Sequence, residues 1–186
     1  MSAHDSGAAA EPRKARQVVH AIAREIAAGR IPAGDQADLR RERLGPAFWK
    51  VAVRHLEPAG LLGAEDAPWR ADAERLWTAI VAGVARAGEQ HVEGRRLGAA
   101  LAEADVAEAR VLRLARAHGE NLLKTVRAVA HQLVSGGQRA DWADFAALIL
   151  SDGREKDWED AVRRGLCLDY YRAKEHGFRN VNQEES

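Results

Sequence analysis

Seven histidines, one cysteine and a scatter of carboxylates are the residues that could do covalent or metal chemistry in this 186-residue chain. Their spacing does not suit it. His4, His20, His55, His91, His118, His131 and His176 include no HExxH pair, and no Cys/His cluster has the separation a zinc site needs. There is no GxxxxGK[ST] phosphate loop, no GxSxG and no GxGxxG following a strand. Asp141, Asp144, Asp157, Glu159 and Asp160 fall in the first turns of expected helices, where the positive helix end accounts for them. Asp141 and Asp144 with Asp152 are the one carboxylate set that could line a nuclease metal. Cys167, between Leu166 and Leu168, reads as a buried thiol. The expectation is therefore no catalytic residue, no cofactor and no metal: a binding module, not an enzyme.

The cations carry more information. The stretch GDQADLRRERLGPAFWK, residues 34–50, sets Arg40, Arg41, Arg43 and Lys50 beside Phe48 and Trp49. The whole chain holds 28 basic and 28 acidic residues, yet charge comes in blocks. Residues 13–56 hold ten Lys/Arg against four Asp/Glu, and residues 110–139 hold six against one. The acidic excess lies in 57–109 and 140–186. Blocks of one sign on one face bind a polyanion even when the total is zero. On a helical wheel Val111, Leu112, Leu114 and Ala115 face one way, and Arg110, Arg113 and Arg116 the other. In the next helix Leu122, Val126, Val129 and Leu133 form the core side, while Lys124, Arg127 and His131 cluster within about 60° opposite. A solvated face usually mixes signs; these two hardly do. In the opening stretch Leu39, Phe48 and Trp49, with Val51 or Val53, are expected to anchor two short helices, leaving Arg40, Arg41, Arg43, Lys50 and Arg54 outward. The alternative is that Phe48 or Trp49 is exposed and stacks on a base.

The elements that must position these residues are all helical. Threonines number two, no β-branched run alternates, and apolar residues recur at helical spacing. The pattern predicts an all-α single bundle of about eight helices, with segments near 12–28, 35–43, 46–56, 71–87, 95–103, 106–117, 120–134, 141–150 and 157–174. Asp35 and Asp105 are expected N-caps. Residues 1–11 read as a disordered lead-in, 12–176 as one domain with a looser acidic segment at 57–104, and 177–186 as a flexible tail. The N-terminus has neither the basic nor the apolar region of a signal peptide, and no apolar run approaches a membrane span. With a single cysteine, a reducing, cytoplasmic setting is expected.

Three stretches carry a resemblance. "GDQADLRRERLGPAFWKV", "RVLRLARAHGENLLKTVRAVAHQLVSGGQRADWADFAALILSD" and "DWEDAVRRGLCLDYY" resemble, in order and spacing, segments of the CasB family, the small subunit of the type I-E CRISPR surveillance complex, Cascade. They cover most of 34–171 apart from the acidic segment. The resemblance implies an all-helical, non-catalytic subunit, usually in two copies. Its implied partners are the other Cascade subunits, a second copy of itself, crRNA and target DNA, with no membrane. It would brace the crRNA assembly and line a basic path when the R-loop forms, cleavage belonging to a separate nuclease. The basic residues at matching positions are Arg40, Arg41, Arg43, Lys50, Arg54, Arg110, Arg113, Lys124, Arg127 and Arg139, joined by Arg163 and Arg164. Trp142 and Tyr170/Tyr171 are expected to pack. Two other readings of the same residues are a helix-turn-helix DNA-binding regulator, at 35–56 or 106–134, and a helical protein–protein adaptor.

Overall fold

Apolar spacing of three and four residues builds each helix, and the computed structural model describes residues 5–184 of the result, with side chains from 11 to 177. The described residues contain nine α-helices and no strand, which makes the fold all-α. The chain divides into two compact units, Met1–His91 and Val92–Ser186.

In the first unit α1 (Asp5–Ala27) presents Val18, Val19, Ile22 and Ile26 to the core, the stripe its sequence predicts. It begins before Pro12, which lies inside it. Of the expected loose lead-in, residues 1–4 lie outside the described residues. α2 (Ala33–Arg40) starts and stops earlier than expected, so Asp35 sits in its first turn and Pro32 at its N-cap. It ends because Glu42 takes a positive φ of 57°, turning the chain toward α3 (Pro46–Val51). Pro46 suits the first turn of α3, where its missing N–H costs nothing. α3 runs straight into a π-helical turn, Ala52–Leu56, and the two together bury Phe48, Ala52 and Leu56. α4 (Arg70–Ala87) sends Trp77, Ile80, Val81 and Val84 inward and leaves Leu76 half-buried. The loop before it is pinned by Arg70, which donates to Gly63 O at 3.0 Å, Glu74 at 2.7 Å and Glu57 at 3.1 Å. A 3-10 turn, Gly88–Gln90, closes the unit.

The second unit holds α5 (Leu97–Glu103), α6 (Glu108–Arg116), α7 (Gly119–Ser135), α8 (Trp142–Ser151) and α9 (Lys156–Glu184). α9 continues ten residues past its expected end at Lys174, and of the expected flexible tail residues 185–186 lie outside the described residues. Asp105 is not the N-cap of α6. It adopts a positive φ of 49°, bonds Lys174 at 2.6 Å, and leaves the cap position to Ala107. Of the core side of the wheel, Val111, Leu114, Ala115, Leu122, Val126, Val129 and Leu133 are buried, and Leu112 is half-buried. Trp142 and Tyr170 pack in the core as expected, Tyr170 donating to Val106 O at 2.8 Å. Tyr171 does not; it is exposed and donates to Glu108. Cys167 is half-buried, with burial pushing its thiol up and Arg116 pulling it down.

α5 crosses α9 with no room for a side chain at the contact. A Cβ on Gly98 would lie 2.3 Å from Leu166 O and 2.7 Å from the Tyr170 N. Both neighbours are backbone of a long helix and cannot swing aside. Gly98→Ala is therefore expected to cost about 3 kcal/mol or more, read as a lower urea midpoint with the slope unchanged.

Candidate nucleic-acid interface

Each cation named from the sequence is settled by what its nitrogen atoms touch. In the first unit Arg40, Arg41, Arg43, Lys50 and Arg54 are all exposed, as expected. Four of them are nevertheless engaged within the unit. Arg40 donates through Nε to Ala85 O at 2.9 Å, tying the end of α2 to the end of α4. Arg41 pairs with Asp38. Lys50 lies 2.8 Å from Asp35, and Arg54 2.9 Å from Glu25. Arg43 has no hydrogen-bond or ion-pair partner among the described residues. Burial pushes the Glu25 carboxyl up, but the Arg54 bond and His55, 3.2 Å away, more than offset it and hold the group below the usual glutamate range.

The aromatic pair splits. Phe48 is buried and Trp49 is 38% exposed, its ring edge-on to Phe48 at 5.3 Å. Val51 anchors and Val53 does not. The expectation that Trp49 is an anchor is thus corrected: the buried stripe of the α3–π segment passes through Phe48, Ala52 and Leu56, and Trp49 lies beside it. For a regulator, this helix would have to offer base edges a set of hydrogen-bonding side chains. Its exposed positions are Pro46, Trp49, Lys50, Val53 and Arg54.

The second unit differs. Arg110, Arg113, Arg116, Lys124, Arg127 and His131 are all exposed. Arg110 bonds the neutral Gln132 of α7, which joins the outer faces of α6 and α7 and leaves the charge of Arg110 uncancelled. Arg113 and Lys124 have no ion-pair partner among the described residues, and neither do the exposed Arg139 and Arg164. Glu120 is the one acidic residue in 110–139. The α6–α7 face is consequently basic, and its Arg113 and Lys124 carry positive charge that no carboxylate among the described residues pairs.

Arg163, grouped with these cations from the sequence, is placed elsewhere. Its side chain is only 11% exposed. It donates to Ala115 O at 2.6 Å and Ala117 O at 2.9 Å, to Glu159 at 2.9 Å and to Asp152 at 2.8 Å. Asp152 in turn accepts the Gly119 N–H at 2.6 Å and lies 2.7 Å from His118 Nδ1. The cation thus caps the negative end of α6 while its partner anion caps the positive end of α7. Gly119, at a φ of 54°, supplies the left-handed step between the two helices. His118, Asp152 and Glu159 bring potential metal-ligating atoms within 4.8 Å of one another, but the Arg163 guanidinium already sits on both carboxylates. Sequence reasoning had no signal for this role, because the contacts span up to 48 positions.

The nuclease-type carboxylates also have local tasks. Asp141 is buried and caps α8 through the Ala143 N–H at 2.9 Å, while also accepting the Gly94 N–H at 3.0 Å. Asp144 accepts the Leu97 N–H at 3.0 Å. Among the described residues, no helix is long and apolar enough to cross a membrane.

Arg163→Ala would strand two carboxylates and two helix-end carbonyls. It is expected to lower stability by about 2–3 kcal/mol, measured by urea unfolding. Glu25 gives a pH test. A carboxyl held low in the folded state stabilises above its unfolded value, and that contribution is lost as pH falls through the folded value. Glu25→Gln should flatten the loss of stability as pH falls through and below the ordinary glutamate range, followed by unfolding titrations.

A family model described as CRISPR-associated protein Cse2 matches residues 35–171. No curated protein and no solved structure matches the chain.

Proposed function

The chain belongs to the Cse2 family, the small subunits of type I-E CRISPR Cascade complexes, and from that premise we propose that its α6–α7 face holds nucleic-acid backbone within such a complex. In this reading the protein performs no catalysis. It braces the crRNA assembly and stabilises the R-loop that target DNA forms, contributing to antiviral defence. Arg110, Arg113, Lys124 and Arg127 contact phosphates, and Arg139 and Arg164 extend the contact set. The observation that carries the reading is the absence of any carboxylate partner on Arg113 and Lys124 among the described residues, across two successive helices. Cations already paired inside a protein release little on meeting a phosphate; uncompensated ones release counterions and gain affinity.

Guanidinium and ammonium groups without an accompanying set of base-reading side chains grip backbone and ignore sequence. Binding should therefore depend on salt more than on target sequence. The first-unit cations Arg40, Lys50 and Arg54 are assigned to holding α1, α2, α4 and the α3–π segment in place, and Arg41 to its pair with Asp38 at the end of α2.

The test uses a complex of crRNA and the other subunits purified without this chain. Adding the wild-type protein is expected to give incorporation and tighter binding of matched double-stranded DNA. Replacing Arg110, Arg113, Lys124 and Arg127 together by Ala is expected to keep the melting temperature within a few degrees, because the face is exposed. Target affinity should fall at least tenfold, and its logarithmic salt slope should flatten by about 3, roughly 0.7 for each phosphate no longer neutralised on a single strand. Unchanged target binding by this folded variant would overturn the assigned face.

A further inference from the structure

Six large apolar side chains are exposed among the described residues, and three of them, Leu44, Trp49 and Val53, fall within one ten-residue stretch. They are 52%, 38% and 62% exposed. Helix geometry relates them. Gly45 is the N-cap of α3, so Leu44 stands just before the cap and Trp49 at the fourth helical position, the two places of a hydrophobic staple. Val53 follows Trp49 by four residues on the continuing π-helical turn, on the same side. Trp49 is braced edge-on by the buried Phe48 at 5.3 Å. The strip is therefore built on an ordered support, and little side-chain freedom remains for Trp49 to lose on binding.

Its rim separates two classes of partner. Lys50 and Arg54 flank the strip, and each is matched by a carboxylate of the same unit, at 2.8 Å and 2.9 Å. A nucleic-acid backbone would find most of this charge already balanced. An apolar centre with an aromatic residue, inside a balanced polar rim, has the composition of a protein–protein contact. Arg43, next to Leu44, is the cation left without a partner among the described residues, and it asks for one acidic group opposite.

We propose that Leu44, Trp49 and Val53 form a docking surface for another protein subunit, one that presents an apolar side chain to Trp49 and a carboxylate to Arg43. The identity of that partner as a subunit of the same complex rests on the small-subunit reading; the existence of the strip does not. The α6–α7 face would then hold nucleic acid while the α3 strip secures the chain to protein.

The experiment adds full-length variants to the complex lacking this chain. Two quantities are read: the concentration giving half-incorporation, and the affinity of the free chain for a single-stranded oligonucleotide. Trp49→Ala is expected to weaken incorporation about thirtyfold, the size of a central interface contact, and Arg43→Glu to weaken it as well. Oligonucleotide affinity of Trp49→Ala should stay within twofold of wild type. Val53→Asp, at the most exposed position of the three, serves if Trp49→Ala lowers the melting temperature. A photo-crosslinking residue in place of Val53 should yield an adduct with a protein subunit. Incorporation at the wild-type concentration would overturn the docking surface. A parallel loss of oligonucleotide affinity, or an adduct with nucleic acid, would assign the strip to base stacking and overturn it equally. Failure of the wild-type chain to incorporate would instead overturn the small-subunit reading, and with it the partner named here.

Discussion

One ion pair holds the turn on which the basic face depends. Arg163 and Asp152 face each other at 2.8 Å, and each also serves a different helix. The guanidinium satisfies carbonyls at the end of α6, and the carboxylate satisfies an N–H at the start of α7. Helix ends carry unsatisfied groups of opposite sign, so an ion pair placed at a tight turn can complete both at once. Without it, two helices loaded with like charges would have to approach with their polar ends unpaired. Those like charges repel across the α6–α7 face, and the capped turn, with the buried Val111, Leu114, Leu122 and Val126, opposes that repulsion.

The two units use the same residue type for different ends. In the first, arginine and lysine are mortar: Arg40, Lys50 and Arg54 reach Ala85 O, Asp35 and Glu25 and tie α1, α2, α4 and the α3–π segment together, while Arg41 pairs with Asp38 at the end of α2. In the second, Arg163 is mortar of the same kind and Arg110 ties α6 to α7 through Gln132, while Arg113 and Lys124 have no ion-pair partner among the described residues. A count of basic residues treats both populations alike. The distinction lies in where carboxylates sit in three dimensions, and it divides the face proposed to hold backbone from a surface that is positive in sequence yet nearly balanced in space.

What the sequence made legible follows from the range of each interaction. The helices and the α6 and α7 stripes were readable because they rest on neighbours three or four positions apart. Val18, Val19, Ile22 and Ile26 lie buried where that period puts them. Helix ends were less readable: α2 stops at Arg40 because Glu42 turns left-handed, and nothing in RRER announces that. Trp49 was misplaced because it sits at the edge of the buried stripe, where a shift of one residue decides burial. The inward role of Arg163 and the close crossing at Gly98 were not readable at all, since the α6-end carbonyls that Arg163 caps and the α9 backbone that meets Gly98 lie far along the chain from them. The family resemblance pointed to the matching segments without separating structural cations from exposed ones.

The Asp152 carboxylate also fixes what kind of grip the basic face has. The start of α7 would ordinarily offer an incoming phosphate a rigid set of N–H groups, but the protein's own anion already sits on the Gly119 N–H. A phosphate held as proposed would be met instead by long side chains on the flanks of α6 and α7. Such side chains reach over several ångströms and accept many backbone paths, whereas a ring of N–H groups accepts one. The face is therefore a brush and not a socket, and under the proposed function it would suit a strand whose course shifts as a duplex is opened beside it.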